Sequence, residues 1–356
     1  MVRKLFFILL LAVFCSGAAS AAADVLNSGC FDGAAACTAR VPFPVPPPAP
    51  PVPLAAKKAV VISIVGVNFT KIGFGKLERA YIKDIVEQLK PGAQPDESLF
   101  AAGMDGAGEA AALSGDDWKY HDDYLDANLA KILPGEEYEI VPVRWSRDPE
   151  DSVAAVLLTE SVIKKVFAEA RAEGRPVYLV AHSWGTVLAH TALNMLAVSD
   201  PEVRIDKLIT MGSPLVPGYW WMNIFMELEI NAGQLQAYVT KPKNTGHWLN
   251  VWARNDYFSN LINAADQNLI ADDWTLPLEA RIRIFEQADP SLHDKALLDL
   301  FLLKNPQTWH FAYVFDFRIF LRTLQERYEK YILGPVVSGE LLSGRGPELK
   351  PSCSHP

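Results

Sequence analysis

Cysteine is scarce in this chain: four in 356 residues, at positions 15, 30, 37 and 353, with no Cys-x-x-Cys pair and no cysteine–histidine cluster. That pattern offers no ligand set for a structural zinc, so no metal and no cofactor is expected. Clustered positive charge is equally thin. Lys and Arg number 33 against 42 Asp and Glu, a formal net charge of −9, and no basic block follows Arg3 and Lys4. A nucleic-acid or anionic-membrane surface needs a concentration of cations, so neither partner is expected. Long apolar runs are missing too. Leu5 to Phe14 is well short of the roughly 20 residues that span a bilayer. No internal repeat is visible.

The short apolar run has a different use. Behind Arg3 and Lys4, and followed by Ala19-Ser20-Ala21, it has the layout of a secretory signal with a small-x-small cleavage site. Residues 1–21 are therefore expected to be removed and the mature chain exported, secreted or periplasmic, with no membrane span left. Bulky Phe14 before Cys15 argues against a lipoprotein anchor. Cys15 leaves with the leader. Cys30 and Cys37 then close a short loop in an oxidising compartment, where a disulfide is expected, and Cys353 is left over.

What is abundant is apolar sequence, 50% of residues, enough for a sizeable core. The organisation reads as a Cys-containing and Pro-rich linker over residues 22–56, a folded unit over 57–333 and a flexible tail over 334–356. The linker contains VPFPVPPPAPPVP at 41–53, of polyproline character. In the folded unit, strands are expected at Ala59–Val67, Tyr138–Trp145, Val177–Ala181, Lys207–Leu215 and His247–Asp256, with a weaker one at Glu279–Phe285. Helices are expected at Leu77–Leu89, Tyr120–Leu133, Val153–Ala172, Trp184–Ala197 and Tyr313–Tyr331. The β-branched, nearly all-apolar strands alternate with helices, which implies an α/β unit, a mostly parallel sheet covered on both faces. The Gly-, Ala- and Asp-rich stretch 91–117 reads as loop. Its Asp105–Glu109 segment has the wrong ligand spacing for calcium.

One junction is unusual. VYLVAHSWGTVLAH, residues 177–190, passes from strand to helix through His182-Ser183-Trp184-Gly185 with almost no loop. So abrupt a turn pushes the Ser183 hydroxyl clear of the sheet's C-terminal edge, where open α/β sheets bind ligands. It also aims the Trp184 amide, at a helix N-terminus, at the same place. The residues two before and two after the serine are forced together and must be small. They are Ala181 and Gly185, giving A-x-S-x-G, one methyl from the G-x-S-x-G nucleophile elbow. The competing reading, a chance His-Ser-x-Gly at an ordinary junction, does not account for the flanking strand and helix and their placement.

AHSWGT, followed by GSPL at Gly212–Leu215, resembles the α/β-hydrolase family and its lipase and esterase branch; the resemblance covers about residues 57–333, and only the elbow is specific. It implies an α/β-hydrolase fold with a cap or lid insertion, and the chain order serine, acid, histidine. That order leaves His247, His293, His310 and His355 of the seven histidines after the leader. His247 opens a strand, His293 lies in the charged stretch PSLHDKALLDL, and His355 is in the tail. His310 precedes the last expected helix, as the family's histidine loop requires. For the acid, NVWARND is a strand running into Asp256, on the same sheet edge as Ser183, whereas Asp266, Asp272 and Asp273 read as solvated charges. The catalytic residues implied are Ser183, Asp256 and His310. The oxyanion donors implied are the amides of Trp184 and, after the first strand, of Val67 or Asn68. Val65-Gly66-Val67-Asn68 lacks the His-Gly that relatives carry there.

Between GSPL and the acid strand, residues 216–246 form the expected cap. PGYWWMNIFMELEI within it places Trp220, Trp221 and Phe225 as candidate substrate-binding residues; the competing reading is a buried helix. The function implied is an exported serine hydrolase cleaving a small-molecule ester or lipid through an acyl-enzyme. Acyl transfer and amide or thioester cleavage use the same triad. A non-catalytic binding module on this fold has no chemical reason to keep all three triad residues.

Overall fold

The computed structural model describes residues 59–68, 124–218, 232–314, 317–319, 321–324, 331–333, 337 and 342. The leader, Cys30, Cys37, Cys353, the Pro-rich linker, the Leu77–Leu89 helix, the 91–117 loop, Trp220, Trp221 and Phe225 lie outside the described residues.

Among the described residues six strands form one sheet in which every pairing is parallel. They are β1 (Ala59–Ile64), β2 (Tyr138–Val143), β3 (Val177–His182), β4 (Ile205–Met211), β5 (Thr245–Trp252) and β6 (Gln267–Ile270), in the order β2-β1-β3-β4-β5-β6. All six residues of β1 are buried, as a strand covered on both faces requires. Alternation along each strand sends side chains to opposite layers. Val60, Ile62, Ile64, Leu179 and Ala181 join the core under α2 (Ser152–Glu173) and α3 (Trp184–Ser199), where Ile163, Leu188 and Leu193 meet them. Val61, Val180, Ile209 and Leu249 face the other core, with Leu125 and Leu129 of α1 (Tyr124–Ile132). Each such fully buried Leu or Ile contributes roughly 1.5–3 kcal/mol.

The order fixes where a ligand can sit. From β1 the chain goes outward to β2 and then returns to lay β3 on the other side of β1. That reversal opens a crevice beyond the carboxyl ends of β1 and β3, the topological switch point. Parallel sheet, order and covering helices together are an α/β-hydrolase-like fold.

Three expectations need correction. EARIRIF is not a strand; it lies within helix α5 (Thr275–Ala288), whose buried Thr275, Leu278 and Ile282 follow helical spacing, while Ile284 is 62% exposed. The alternation of Arg and Ile over Arg281–Ile284 mimics a period of two. The described residues of the expected Tyr313–Tyr331 helix are not helical. A short helix, α7 (Pro306–Phe311), follows α6 (His293–Lys304), and then β7 (Phe317–Ile319) and β8 (Tyr331–Leu333) pair antiparallel. Buried Asp299 accepts the backbone N–H groups of Arg322 and Thr323, both at 2.7 Å, and ties that loop to α6. The tail does not start at residue 334: Val337 and Leu342 are buried, and Val337 N donates to Tyr313 O at 3.3 Å. A short edge strand, β6, two of whose four residues are polar, was not expected from the sequence. One short helix, α4 (Ala232–Tyr238), lies within the expected cap; in chain order it falls between α3 and α5.

Candidate active site

Ser183 sits between β3 and α3 at φ 55° and ψ −132°, a left-handed conformation rare for a residue with a Cβ. Its surroundings hold it there. Its N–H donates to Met211 O at 2.9 Å, extending the β3–β4 ladder into the turn, and Thr186 Oγ1 donates to its carbonyl at 2.7 Å. Two glycines make room. A Cβ on Gly66 would lie 2.6 Å from the Ser183 Cβ, and one on Gly185 would lie 2.4 Å from Ile64 O. The turn after β1 and the elbow after β3 are thus pressed together at the switch point, and both need to lack a side chain. The small residue expected at 185 is required by this contact; the requirement at Gly66 is its counterpart in the other strand.

The Trp184 amide opens α3, within the first turn whose N–H groups lack an i−4 acceptor. With the helix dipole behind it, this amide favours negative charge beside Ser183. The other two candidate amides, Val67 and Asn68, lie in the turn over Gly66. There the Asn68 amide donates to Arg147 O at 2.9 Å, so of the two candidates it is Asn68 whose amide is already committed. Gly66 N donates to Tyr124 Oη at 3.4 Å.

Asp256 and His310 meet as the serine–acid–histidine order requires. His310 Nδ1 lies 3.0 Å from Asp256 Oδ1 and 3.1 Å from Oδ2, with both side chains buried. Asp256 stands in the loop after β5. It accepts from Tyr313 Oη at 2.7 Å, Ser259 Oγ at 2.9 Å and Phe258 N at 3.1 Å. Burial alone would raise its pKa; the His310 charge and these donors overcome that and hold the carboxyl below its ordinary range. The pair belongs to the Ser183 neighbourhood. A Cβ on Gly212, directly after the Met211 that anchors Ser183, would lie 3.1 Å from both Asp256 Oδ2 and His310 Cε1. The rings of His310 and His182, the residue before Ser183, are 4.8 Å apart.

Several residues here were not singled out by the sequence. Asp272, read as solvated, is fully buried and accepts the N–H groups of Arg254 at 2.8 Å and Asn255 at 2.9 Å, fixing the loop that carries Asp256. Burial raises its pKa. Asp266 caps Trp248 N at 2.7 Å, and His293 pairs with Glu286 rather than with the site. His182 Nε2 lies 2.6 Å from His310 O, an acceptor only, so Nε2 carries the proton and Nδ1 accepts from the Tyr124 hydroxyl. Burial, reinforced by neighbouring His310, lowers the His182 pKa to about 3, and burial raises that of Tyr124 to about 12. Both therefore stay neutral in use and act as fixed struts between the elbow, the histidine turn and Gly66. Tyr124 carries no local sequence signal, because its partners are brought to it by the fold.

The expected cap begins against the acid loop: a Cβ on Gly218 would lie 2.3 Å from Ser259 O. Among the described residues no group of three or more His, Cys, Asp or Glu side chains could hold a metal ion, and no helix is long and apolar enough to cross a membrane.

A strained serine, a helix N-terminus and a buried acid–histidine pair thus share one sheet edge. No protein family and no curated protein matches the chain. Among solved structures, a metagenomic carboxyl esterase is similar over 68% of this chain and 64% of its own, at 13% identity and a TM-score of 0.28. The match spans less than two thirds of that esterase's length. The sheet order and the strained turn at Ser183 define the fold.

Proposed function

We propose that this chain is an exported serine hydrolase that cleaves carboxylic esters through an acyl-enzyme. Ser183 attacks the carbonyl carbon while His310 takes the hydroxyl proton. Asp256 holds the imidazole in the Nδ1–H tautomer and stabilises the imidazolium. The tetrahedral oxyanion is met by the amides of Trp184 and Val67. His310 then protonates the departing alkoxide, and water repeats the cycle on the acyl-enzyme. The observation that carries this reading is the buried His310–Asp256 contact of 3.0 Å at the edge where Ser183 is held in a left-handed turn. A structural histidine has no need of a carboxylate supplied with three further donors.

The substrate is proposed to be an ester of a medium-length acyl chain, with Trp220, Trp221 and Phe225 lining the acyl pocket. Each methylene buried there contributes about 0.8 kcal/mol, so two added carbons should raise kcat/KM roughly tenfold until the pocket fills. The test is kcat/KM of the mature protein on p-nitrophenyl esters of graded length. An optimum between about C6 and C10 is expected from that increment, flattened in Trp220→Ala and Trp221→Ala. No turnover of any ester would overturn the reading, and an acetyl preference would remove the acyl pocket from it.

A further inference from the structure

Arg147 has no place in the proposed chemistry, yet it is among the most buried side chains, 1% exposed, and it takes a left-handed φ of 59°. A buried guanidinium is retained only where its donors are used. Its Nε donates to Gly66 O at 2.9 Å and its Nη2 to Val67 O at 3.3 Å, while its own carbonyl accepts Asn68 N at 2.9 Å. The guanidinium carbon stands 5.2 Å from the centre of the Tyr124 ring, and Tyr124 Oη takes the Gly66 N–H. Two residues earlier in the same loop, Trp145 Nε1 donates to Val65 O at 3.0 Å.

These contacts account for the polar groups of the turn nearly atom by atom. Of the amides of Gly66, Val67 and Asn68, the first and third are engaged, and the Val67 N–H meets no acceptor among the described residues. Among the described residues no peptide bond is cis. In a trans peptide the carbonyl of one residue and the N–H of the next point in opposite directions. Anchoring Gly66 O on Arg147 therefore turns the Val67 N–H away from the guanidinium, in the turn whose Gly66 abuts Ser183.

We infer that Arg147 is a positioning residue that aims the Val67 amide as the second oxyanion donor, by gripping the carbonyls on either side of that amide. The inference deepens the hydrolase reading and rests on it. It also accounts for the missing His-Gly: the turn is oriented from outside, by the loop after β2, instead of by its own side chain. Two parallel donors in a planar fork suit adjacent carbonyls, and an ammonium cannot reproduce that fork.

The test uses the full-length protein and its Arg147→Met, Arg147→Lys and Tyr124→Phe variants. Readouts are kcat and KM on a p-nitrophenyl ester, the Ki of an alkyl boronic acid that adds to Ser183 as a tetrahedral anion, and urea stability. Loss of an oxyanion donor lowers kcat about 10²–10³-fold, so a misaimed one should lower it roughly tenfold to a hundredfold. KM should stay within about twofold, and the boronate Ki should weaken by the same factor as kcat. Arg147→Lys should recover part of both, and Tyr124→Phe should shift them in the same direction by less. If Arg147→Met does not fold, the Lys variant carries the measurement. Folded Arg147 variants with unchanged kcat and boronate Ki would overturn the inference, as would kcat and KM shifting together with Ki untouched. An inert unmodified protein that fluorophosphonate does not label would instead overturn the hydrolase reading, and this inference with it.

Discussion

A serine held in a strained turn should leave a trace in stability, and substitution at Ser183 can measure it without any substrate. At φ 55° and ψ −132° a residue with a Cβ is strained, whereas glycine is not. Residues in sparsely populated backbone regions are destabilised by about 1–3 kcal/mol. Comparing Ser183→Gly with Ser183→Ala cancels the loss of the hydroxyl and leaves three terms. Glycine loses about 0.5–1 kcal/mol to unfolded-state entropy. It loses roughly 0.8 kcal/mol for one buried carbon, since Ser183 is only 4% exposed. At an ordinary buried position Gly would therefore be less stable than Ala by about 1.5 kcal/mol. Here strain relief of about 2 kcal/mol offsets that, and the Gly variant should be at least as stable. Urea unfolding at equal m-values reads the difference as a shift in midpoint. A Gly variant weaker than Ala by the ordinary ~1.5 kcal/mol would show that the turn stores no strain.

Other consequences follow from the same contacts. Asp256→Asn places an amide N–H₂ against His310 Nδ1 and favours the wrong tautomer. It should lower kcat about 10⁴-fold with the fold intact, measured by ester turnover and circular dichroism. Tyr313→Phe removes the 2.7 Å donor from a buried carboxylate and should destabilise the protein by about 1.5–3 kcal/mol at pH 7. Asp256 has a lowered folded pKa, so its contribution is present above the ordinary carboxylate pKa and is lost as pH falls through the folded value. Urea titrations from pH 7 downward should therefore show the wild-type–variant gap closing only in acid, and a gap that widens there would contradict the assignment. Gly185→Ala drives a Cβ to 2.4 Å and 2.8 Å from the carbonyl oxygens of Ile64 and Val65, which are backbone and cannot step aside. Its expected outcome is loss of more than about 3 kcal/mol, and a soluble variant with wild-type melting temperature would refute the close approach.

The parts of the molecule legible from sequence are those whose physics is local. A β-branched run such as AVVISI is buried on both faces and can hardly be anything but an interior strand. A-x-S-x-G follows from the space between two backbones, which Gly185 alone satisfies. Chain order and sheet edge singled out His310 and Asp256 as a pair, and the two side chains meet at 3.0 Å. Where the reading failed, the deciding contacts were distant in sequence. EARIRIF alternates like a strand, but Leu278 and Ile282 bury one helical face against the core. Asp272 and Asp299 look like solvated charges until the loops they cap are folded over them. Arg147 and Tyr124 act on Gly66 from 81 and 58 residues away, separations at which no local pattern survives.

The central claim is that Ser183 is a nucleophile activated by His310. Its most direct test is fluorophosphonate labelling of the full-length protein, with peptide mapping of the adduct, beside His310→Ala. A single phosphonylated peptide carrying the label on Ser183, formed far more slowly in His310→Ala, is the predicted result. An unlabelled Ser183 in folded protein, or labelling at an undiminished rate without His310, would contradict it.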